Sequence, residues 1–281
     1  MIVSGAAKLA GVIGWPITHS RSPAIHGYWL EQYGIDGAYV PLGIDPVHIG
    51  QMFDAMPKLG FRGWNVTLPH KEDAFRLVHE RTRTAEEIGA VNTVTVQADG
   101  SLHGDNSDAF GFMAHLDQSA PGWPKDRPAV VLGAGGAARA VCSGLLQAGV
   151  PSLRLTNRTR SRAEALAADF GDRVAVVDWD ERSAALAGAG LLTNTTSLGM
   201  TKQPLLEIAL DDLPGDSVVY DIVYVPLETD LLAAARARGL ACVDGLGMLL
   251  HQARPGFHRW FGVDAQVTDD LHQSVVRTLQ A

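Results

Sequence analysis

Lys71 closes the run Asn65-Val66-Thr67-Leu68-Pro69-His70-Lys71, and Asp108 closes Gly104-Asp105-Asn106-Ser107-Asp108. An ammonium and a carboxylate are the groups that can hand a proton to an oxygen and hold the donor in its charged form. Around them the chain carries neutral hydrogen-bonding side chains suited to a polar, hydroxylated ligand. Ser20 and Ser22 stand in GWPITHSRSP at 14–23, Thr67 between Asn65 and Lys71, Asn92 in Gly89-Ala90-Val91-Asn92-Thr93, and Gln252 near the C-terminal end. Taken singly, each has a plain structural explanation. Ser22 suits an N-cap, Asn65 a turn, Lys71 a solvated first turn, and Asp108 the start of a helix.

A second kind of chemistry is written in backbone. The run Val130-Val131-Leu132-Gly133-Ala134-Gly135-Gly136-Ala137-Ala138 has the G-x-G-x-x-G/A spacing, after an apolar strand and before a helix. In that setting Gly133 permits the tight turn and Gly135 lets backbone approach a pyrophosphate. Ala138 keeps helix and sheet close, and the helix N-terminus, with Gly136 and Ala137, faces the phosphate charge. About 20 residues on, sheets that bind NAD carry an acidic residue for the ribose 2′-hydroxyl. Here that place holds Asn157, Arg158 and Thr159, with no carboxylate. A guanidinium fork suits a 2′-phosphate, so the expected cofactor is NADP.

These groups need elements to hold them. Up to about residue 117, short strand-like runs (10–13, 38–42, 63–67, 91–96, 101–103) alternate with helical ones at 22–33 and 47–56. Ser22 is the expected cap of the first helix, with Pro23 at its first position. The segment PGWPKDRP, 121–128, has three prolines in eight positions and is the best linker candidate. Beyond it, strands at 129–132, 153–156, 174–177, 191–193, 218–221 and 240–243 alternate with helices, which predicts a doubly wound parallel sheet. The expected division is a substrate-binding domain over 1–117, joined by C-terminal helices in 248–281, and a nucleotide-binding domain over 118–247.

Composition excludes other classes. Of 281 residues 46% are hydrophobic and 19% charged, as in a water-soluble globular chain. The formal charge of −8, from 31 acidic and 23 basic residues, argues against nucleic acid as a partner. The start, MIVSGAAKLAG, lacks the apolar core of a signal peptide, and no run of about 18 apolar residues occurs, so a cytoplasmic protein without a membrane partner is expected. Cys142 and Cys242 lie 100 positions apart in apolar segments and suit buried thiols; no metal site is expected.

Together the motifs resemble those of the shikimate dehydrogenase family, nearly end to end. They are G-x-P-x-x-H-S-x-S-P at 14–23, N-V-T-x-P-H-K at 65–71, G-A-V-N-T at 89–93, G-x-N-x-D at 104–108 and G-A-G-G-A-A-R-A at 133–140. N-R-T at 157–159, N-T-T-S-x-G-M at 194–200, D-x-x-Y-x-P-x-x-T at 221–229 and D-G-x-x-M-L-x-x-Q at 244–252 continue the series. The resemblance implies an α/β enzyme of two domains, an N-terminal α/β substrate domain and a C-terminal Rossmann-like doubly wound NADP-binding domain. It implies reversible reduction of 3-dehydroshikimate to shikimate by NADPH, on the route to chorismate and the aromatic amino acids.

Carried over, Ser20 and Ser22 would bind the substrate carboxylate, Thr67, Asn92 and Gln252 its hydroxyls, and Lys71 with Asp108 would be the catalytic pair. Gly133, Ala134, Gly135, Gly136 and Ala137 would cradle the pyrophosphate and Asn157, Arg158 and Thr159 the ribose phosphate. Thr195, Met200, Ile222, Tyr224 and Gly245 would border the nicotinamide. The residue types agree. Reduction of a ketone needs a hydride that side chains cannot supply, and a proton that a placed lysine can. Two positions depart from the family pattern: Gly27 follows His26 where Asn is usual, and Ser107 stands for Thr. Neither is expected to abolish activity. A quinate/shikimate dehydrogenase with relaxed cofactor use is the alternative, and a homodimer is compatible with either.

Overall fold

The apolar runs resolve into two six-stranded sheets in a computed structural model that describes residues 3–279. The chain divides into two units, one made of the residues up to Ser107 and from Gln252 onward, the other of Asp108–His251.

The first unit opens with β1 (Lys8–Gly14), α1 (Ser22–Gln32), β2 (Gly37–Gly43), α2 (Ile49–Ala55), β3 (Phe61–Val66) and α3 (Lys71–Leu77). It continues with β4 (Glu80–Arg81), α4 (Arg83–Ile88), β5 (Thr93–Val96) and β6 (Leu102–Asp105). The sheet order is β2-β1-β3-β5-β6-β4. β1 runs parallel to β2 and β3, whereas β5 is antiparallel to both β3 and β6. The 3.6-residue spacing in 49–56 buries Ile49, Phe53 and Met56, with Phe53 edge-on to Trp64 at 5.2 Å.

The second unit starts with α5 (Asp108–Ser119), β7 (Ala129–Leu132), α6 (Gly136–Gln147), β8 (Leu153–Thr156), α7 (Arg160–Ala168) and β9 (Val174–Val177). Then come β10 (Leu191–Asn194), β11 (Val218–Asp221), α8 (Asp230–Ala237), β12 (Ala241–Val243) and α9 (Leu246–Phe261), whose last turns belong to the first unit, as does α10 (Asp269–Leu279). The order β12-β11-β10-β7-β8-β9 is wholly parallel. That is the doubly wound arrangement, with its switch point between β7 and β10. Ala129 and Val131 face one core with Leu116, Val141 and Leu145. Val130 and Leu132 face another with Leu192, Leu231 and Ala235. Burial on both faces explains why these strands are continuous apolar runs.

Two local expectations differ from the structure. The proline-rich segment 121–128 is built into the second unit: Trp123 is buried beside Phe112 and Leu116, and its Nε1 donates to Asp117 at 2.9 Å. The division falls at Ser107/Asp108 instead, because α5 packs its apolar face on α6, where a Cβ on Gly144 would lie 3.0 Å from Met113 Cγ. Ser22 is also not the cap of α1. Arg21 occupies the cap without a side-chain bond, Ser22 is the first helical residue, and Ser20 Oγ accepts the Ser22 N–H at 3.3 Å.

In the first unit α9 returns to the sheet through Trp260, whose Nε1 donates to Val94 O at 3.0 Å. Gly63 makes room, since a Cβ there would sit 2.1 Å from both Trp260 Nε1 and Val94 O.

Candidate active site

Strand direction gathers four loops of the first unit at one edge of its sheet. β1 and β3 are parallel and end there; β5, antiparallel to β3, begins there; β6, antiparallel to β5, ends there. Ser20 and Ser22 follow β1, Thr67 and Lys71 follow β3, Asn92 precedes β5, and Ser107 follows β6. Backbone bonds stitch the loops together. Trp15 N donates to Leu68 O (3.0 Å), Thr67 N to Ile13 O (2.9 Å), Val66 N to Asn92 O (2.8 Å) and Val91 N to Lys71 O (3.0 Å). The buried His70 pairs its Nε2 with Ile44 O at 2.8 Å and so holds the start of α3, where Lys71 stands half-buried. Gln252, also half-buried, lies on the part of α9 that belongs to this unit.

Asn92 is oriented by its carbonyl end. Its Oδ1 accepts from Ser107 N (2.9 Å), Ser107 Oγ (3.1 Å) and Thr93 Oγ1 (2.8 Å). A carbonyl so occupied makes Asn92 a donor toward any ligand. Asn65 Nδ2 donates to Asn92 O and Thr93 Oγ1, each at 3.1 Å, and Asn65 Oδ1 accepts from the Tyr39 phenol at 2.6 Å. The hydroxyl of Ser107 thus takes a place in the network that its departure from the family pattern does not vacate.

Two aspartates lie in 104–108, and the structure separates them. Asp105 is consumed by its neighbours: Oδ1 accepts from Thr82 Oγ1 at 2.6 Å and Asn106 N at 2.8 Å, and Oδ2 pairs with Arg259 at 2.7 Å. Asp108 is buried as the first residue of α5, where the positive end of the helix dipole favours a carboxylate. Asp108 is the position that the resemblance assigns to chemistry.

In the second unit the site is a backbone surface at the carboxyl ends of parallel strands. Gly133 adopts φ +110°, donates to Thr156 O at 2.8 Å, and would bring a Cβ to 2.6 Å from Thr195 Oγ1. Thr195 bonds Leu132 O through both N (2.8 Å) and Oγ1 (2.6 Å), across the switch point. Gly135 caps α6 without a side-chain bond, and a Cβ on Gly135 or Gly136 would meet nothing within 4 Å. An open cradle before a helix N-terminus fits a dinucleotide's pyrophosphate; Ala134 and Ala137 flank it, half-buried.

Beyond β8, Asn157 Nδ2 donates to Thr159 O at 2.8 Å and shapes the turn that exposes Arg158. Arg160 is engaged by Glu164 at 2.8 Å and Asp178 at 2.5 Å, whereas Arg158 enters no ion pair among the described residues. These groups fit a ribose phosphate.

The loops after β10 and β11 are pinned by Asp221. Its Oδ1 accepts from Asn194 Nδ2 (2.9 Å) and Val223 N (3.0 Å), its Oδ2 from Thr229 Oγ1 (2.7 Å), and burial pushes its carboxyl above the usual range. Thr195, Met200, Ile222 and Tyr224 ride on these loops, with Met200 exposed. Gly245 follows β12 so closely that a Cβ would lie 2.0 Å from Ile222 O. All of them border the same carboxyl edge as the glycine turn.

A family model for the shikimate dehydrogenase substrate-binding domain matches residues 12–94, and one for shikimate/quinate 5-dehydrogenase matches 117–208. A shikimate dehydrogenase (NADP(+)) of Paramagnetospirillum magneticum is 58% identical over 275 residues, 98% of this chain and 100% of the relative. The chain belongs to the shikimate dehydrogenase family. Among solved structures of the family, shikimate 5-dehydrogenase from Thermus thermophilus in complex with NADP(H) and shikimate is 36% identical. It has a TM-score of 0.85 and covers 96% of this chain and 99% of its own. Quinate dehydrogenase from Corynebacterium glutamicum in complex with NAD is 32% identical with a TM-score of 0.89, over 98% and 99%.

Other chemistries find little support. Burial pushes the Cys142 thiol up to about 12 and raises that of Cys242, so neither is an activated nucleophile. Among the described residues no three His, Cys, Asp or Glu side chains gather as a metal site, and no helix is long and apolar enough to cross a membrane.

Ser20, Ser22, Thr67, Lys71 and Asn92, which sequence reasoning singled out, stand on loops at one end of the first unit's sheet, while Gln252 stands on α9; sequence reasoning missed Tyr39, which bonds Asn65. The available signal was a tyrosine inside a strand of otherwise apolar character, whose hydroxyl needs a partner once buried.

Proposed function

We propose that the chain is an NADP-dependent shikimate dehydrogenase, interconverting 3-dehydroshikimate and shikimate in the cytoplasm on the route to the aromatic amino acids. One observation carries the reading. Ser20, Ser22, Thr67, Lys71 and Asn92 share one sheet edge, in a chain whose other sheet offers an open glycine cradle and an exposed Arg158. The name of the Paramagnetospirillum relative, at 58% identity, supports it.

In this reading Ser20 and Ser22 donate to the substrate carboxylate, and Thr67, Asn92 and Gln252 bond its ring hydroxyls. Lys71, as the ammonium, delivers a proton to the oxygen that becomes an alkoxide during reduction. Asp108 is the second member of the proposed catalytic pair and accepts a bond from the substrate. The turn 133–137 holds the pyrophosphate, Asn157, Arg158 and Thr159 hold the 2′-phosphate, and Thr195, Met200, Ile222, Tyr224 and Gly245 flank the nicotinamide. When bound, NADPH supplies the hydride.

Turnover of the purified protein with NADP+ or NAD+, on shikimate or quinate, tests the reading. Shikimate with NADP+ is expected to give the highest kcat/KM. A faster reaction with NAD+ or with quinate would favour the quinate dehydrogenase alternative.

A further inference from the structure

The last turns of α9 have apolar reasons to lie on the first unit's sheet. Phe257, Trp260 and Phe261 are buried, and Trp260 adds the bond to Val94 O that Gly63 admits. Arg259, next to Trp260, makes a contact of another kind. Its Nη2 donates to Asp105 Oδ2 at 2.7 Å, with the two side chains 30% and 14% exposed. In the β5–β6 ladder Val94 pairs with Gly104 and Thr93 with Asp105, so Trp260 and Arg259 hold neighbouring strands at successive rungs. That ladder ends in the ligand edge. The main-chain O of Asp105 accepts from Asn92 N at 3.0 Å, its Oδ1 accepts from Asn106 N at 2.8 Å, and Asn106 Nδ2 donates to Ala90 O at 3.0 Å.

Burial of three aromatic rings suffices to dock the helix, and a partly buried ion pair is a weak source of stability. What a charge-assisted bond adds is direction. Gln252 lies seven residues before Arg259 on α9, which continues through Pro255 from Leu246 to Phe261. Seven residues fall about 20° short of two turns, so the two side chains leave the helix on one face. We propose that Arg259 and Asp105 are a positioning pair for recognition of the substrate hydroxyls. At one end the pair holds the backbone that presents Asn92; at the other it sets the rotation of α9 that aims Gln252. The proposal rests on the shikimate reading above, and all four residues lie in the first unit. Hydrogen-bonding groups whose directions are already set bind a hydroxylated ring more tightly, and the pair does so without touching the reacting atoms.

The test compares Arg259→Gln, Arg259→Lys, Asp105→Asn and the double variant Asp105→Asn with Arg259→Gln against the unaltered protein, for KM of shikimate, KM of NADP+, kcat and Tm. Arg259→Gln and Asp105→Asn are each expected to raise KM for shikimate about tenfold, with kcat within about threefold and KM for NADP+ within about twofold. The double variant is expected to stay within about threefold of the poorer single one, because both changes remove the same interaction. Arg259→Lys keeps the charge and a donor for Asp105 Oδ2, so its KM for shikimate is expected within about threefold of the unaltered value.

A pair that merely fastened the helix would move kcat, both KM values and Tm together, and that result overturns the proposal. So does a KM for shikimate within about twofold of the unaltered value in either neutral single variant, multiplication of the two effects in the double variant, or a loss in Arg259→Lys as large as in Arg259→Gln. If only one neutral variant folds, it decides; if neither does, the pair belongs to the fold and the proposal fails. If the unaltered protein does not turn over shikimate, the functional reading falls and the proposal with it, a result read before any variant is compared.

Discussion

In the second unit the ligand edge is made of main chain: Gly133 at φ +110°, the bare helix start at Gly135 and Gly136, and the carboxyl ends of parallel strands. In the first unit the edge is made of side chains on four loops, each held by other side chains, as Asn92 is by Thr93 and Ser107. A backbone surface suits a ligand part common to many enzymes, the pyrophosphate, and tolerates most sequences that keep its glycines. A side-chain surface suits one ligand, because each hydroxyl or amide answers a particular group. On the proposed reading the first unit supplies substrate choice and Lys71, and the second supplies cofactor choice and Asp108.

If that is right, truncating a side chain in the first unit should strike turnover hardest. Lys71→Ala is expected to lower kcat by about 10²-fold or more, with KM for NADP+ little changed. Steady-state kinetics check it, and near-normal turnover would remove the lysine from the chemistry.

The buried support of the first unit gives the next largest effect. His26 titrates at about 3 in the folded chain, below its ordinary 6.5. Below pH 6.5 the unfolded chain binds a proton that the folded chain refuses until about pH 3. The stability due to neutral His26 is therefore complete above 6.5 and is lost as pH falls toward 3. His26→Phe should make the loss of unfolding free energy between pH 7 and pH 5 smaller by about 2 kcal/mol. Denaturant melts at the two pH values measure this; an unaltered pH dependence would show that His26 is not the group responsible.

The same contrast explains what could be read from sequence. The glycine turn was legible because backbone conformation, strand and helix are all signalled by short-range patterns, and β7 and α6 stand where those patterns put them. The polar edge of the first unit was legible only through several motifs at once, since a serine or lysine near a helix start looks the same whether it binds or caps. Ser22 shows the difficulty: the cap is Arg21, and Ser22 is the first helical residue, its N–H donating to Ser20 Oγ. Helices α3 and α4, of seven and six residues, are too short for a 3.6-residue period to emerge. Segment 121–128 resembled a linker because its prolines were visible and the buried anchor at Trp123 was not.

Cofactor choice supplies the smaller effects, and two neighbouring arginines separate them. Arg158 is exposed and unengaged by any carboxylate among the described residues, so its guanidinium is available to a 2′-phosphate. Arg158→Ala should raise KM for NADP+ about tenfold and leave that for NAD+ within about twofold, since only the phosphate monoester loses its charged partner.

Arg160, two residues on, carries the same charge but shares it with Glu164 and Asp178, all three about half exposed. Exposed pairs of this kind contribute little to stability. Its charge is already balanced by two carboxylates, so little remains to attract a phosphate. Arg160→Ala should therefore shift KM for NADP+ by less than about twofold and leave the unfolding midpoint nearly unchanged. If Arg160→Ala instead matched Arg158→Ala, recognition of the phosphate would rest on the summed charge of the turn. A gap of several-fold between the two variants would assign it to one guanidinium held in place by the backbone around it.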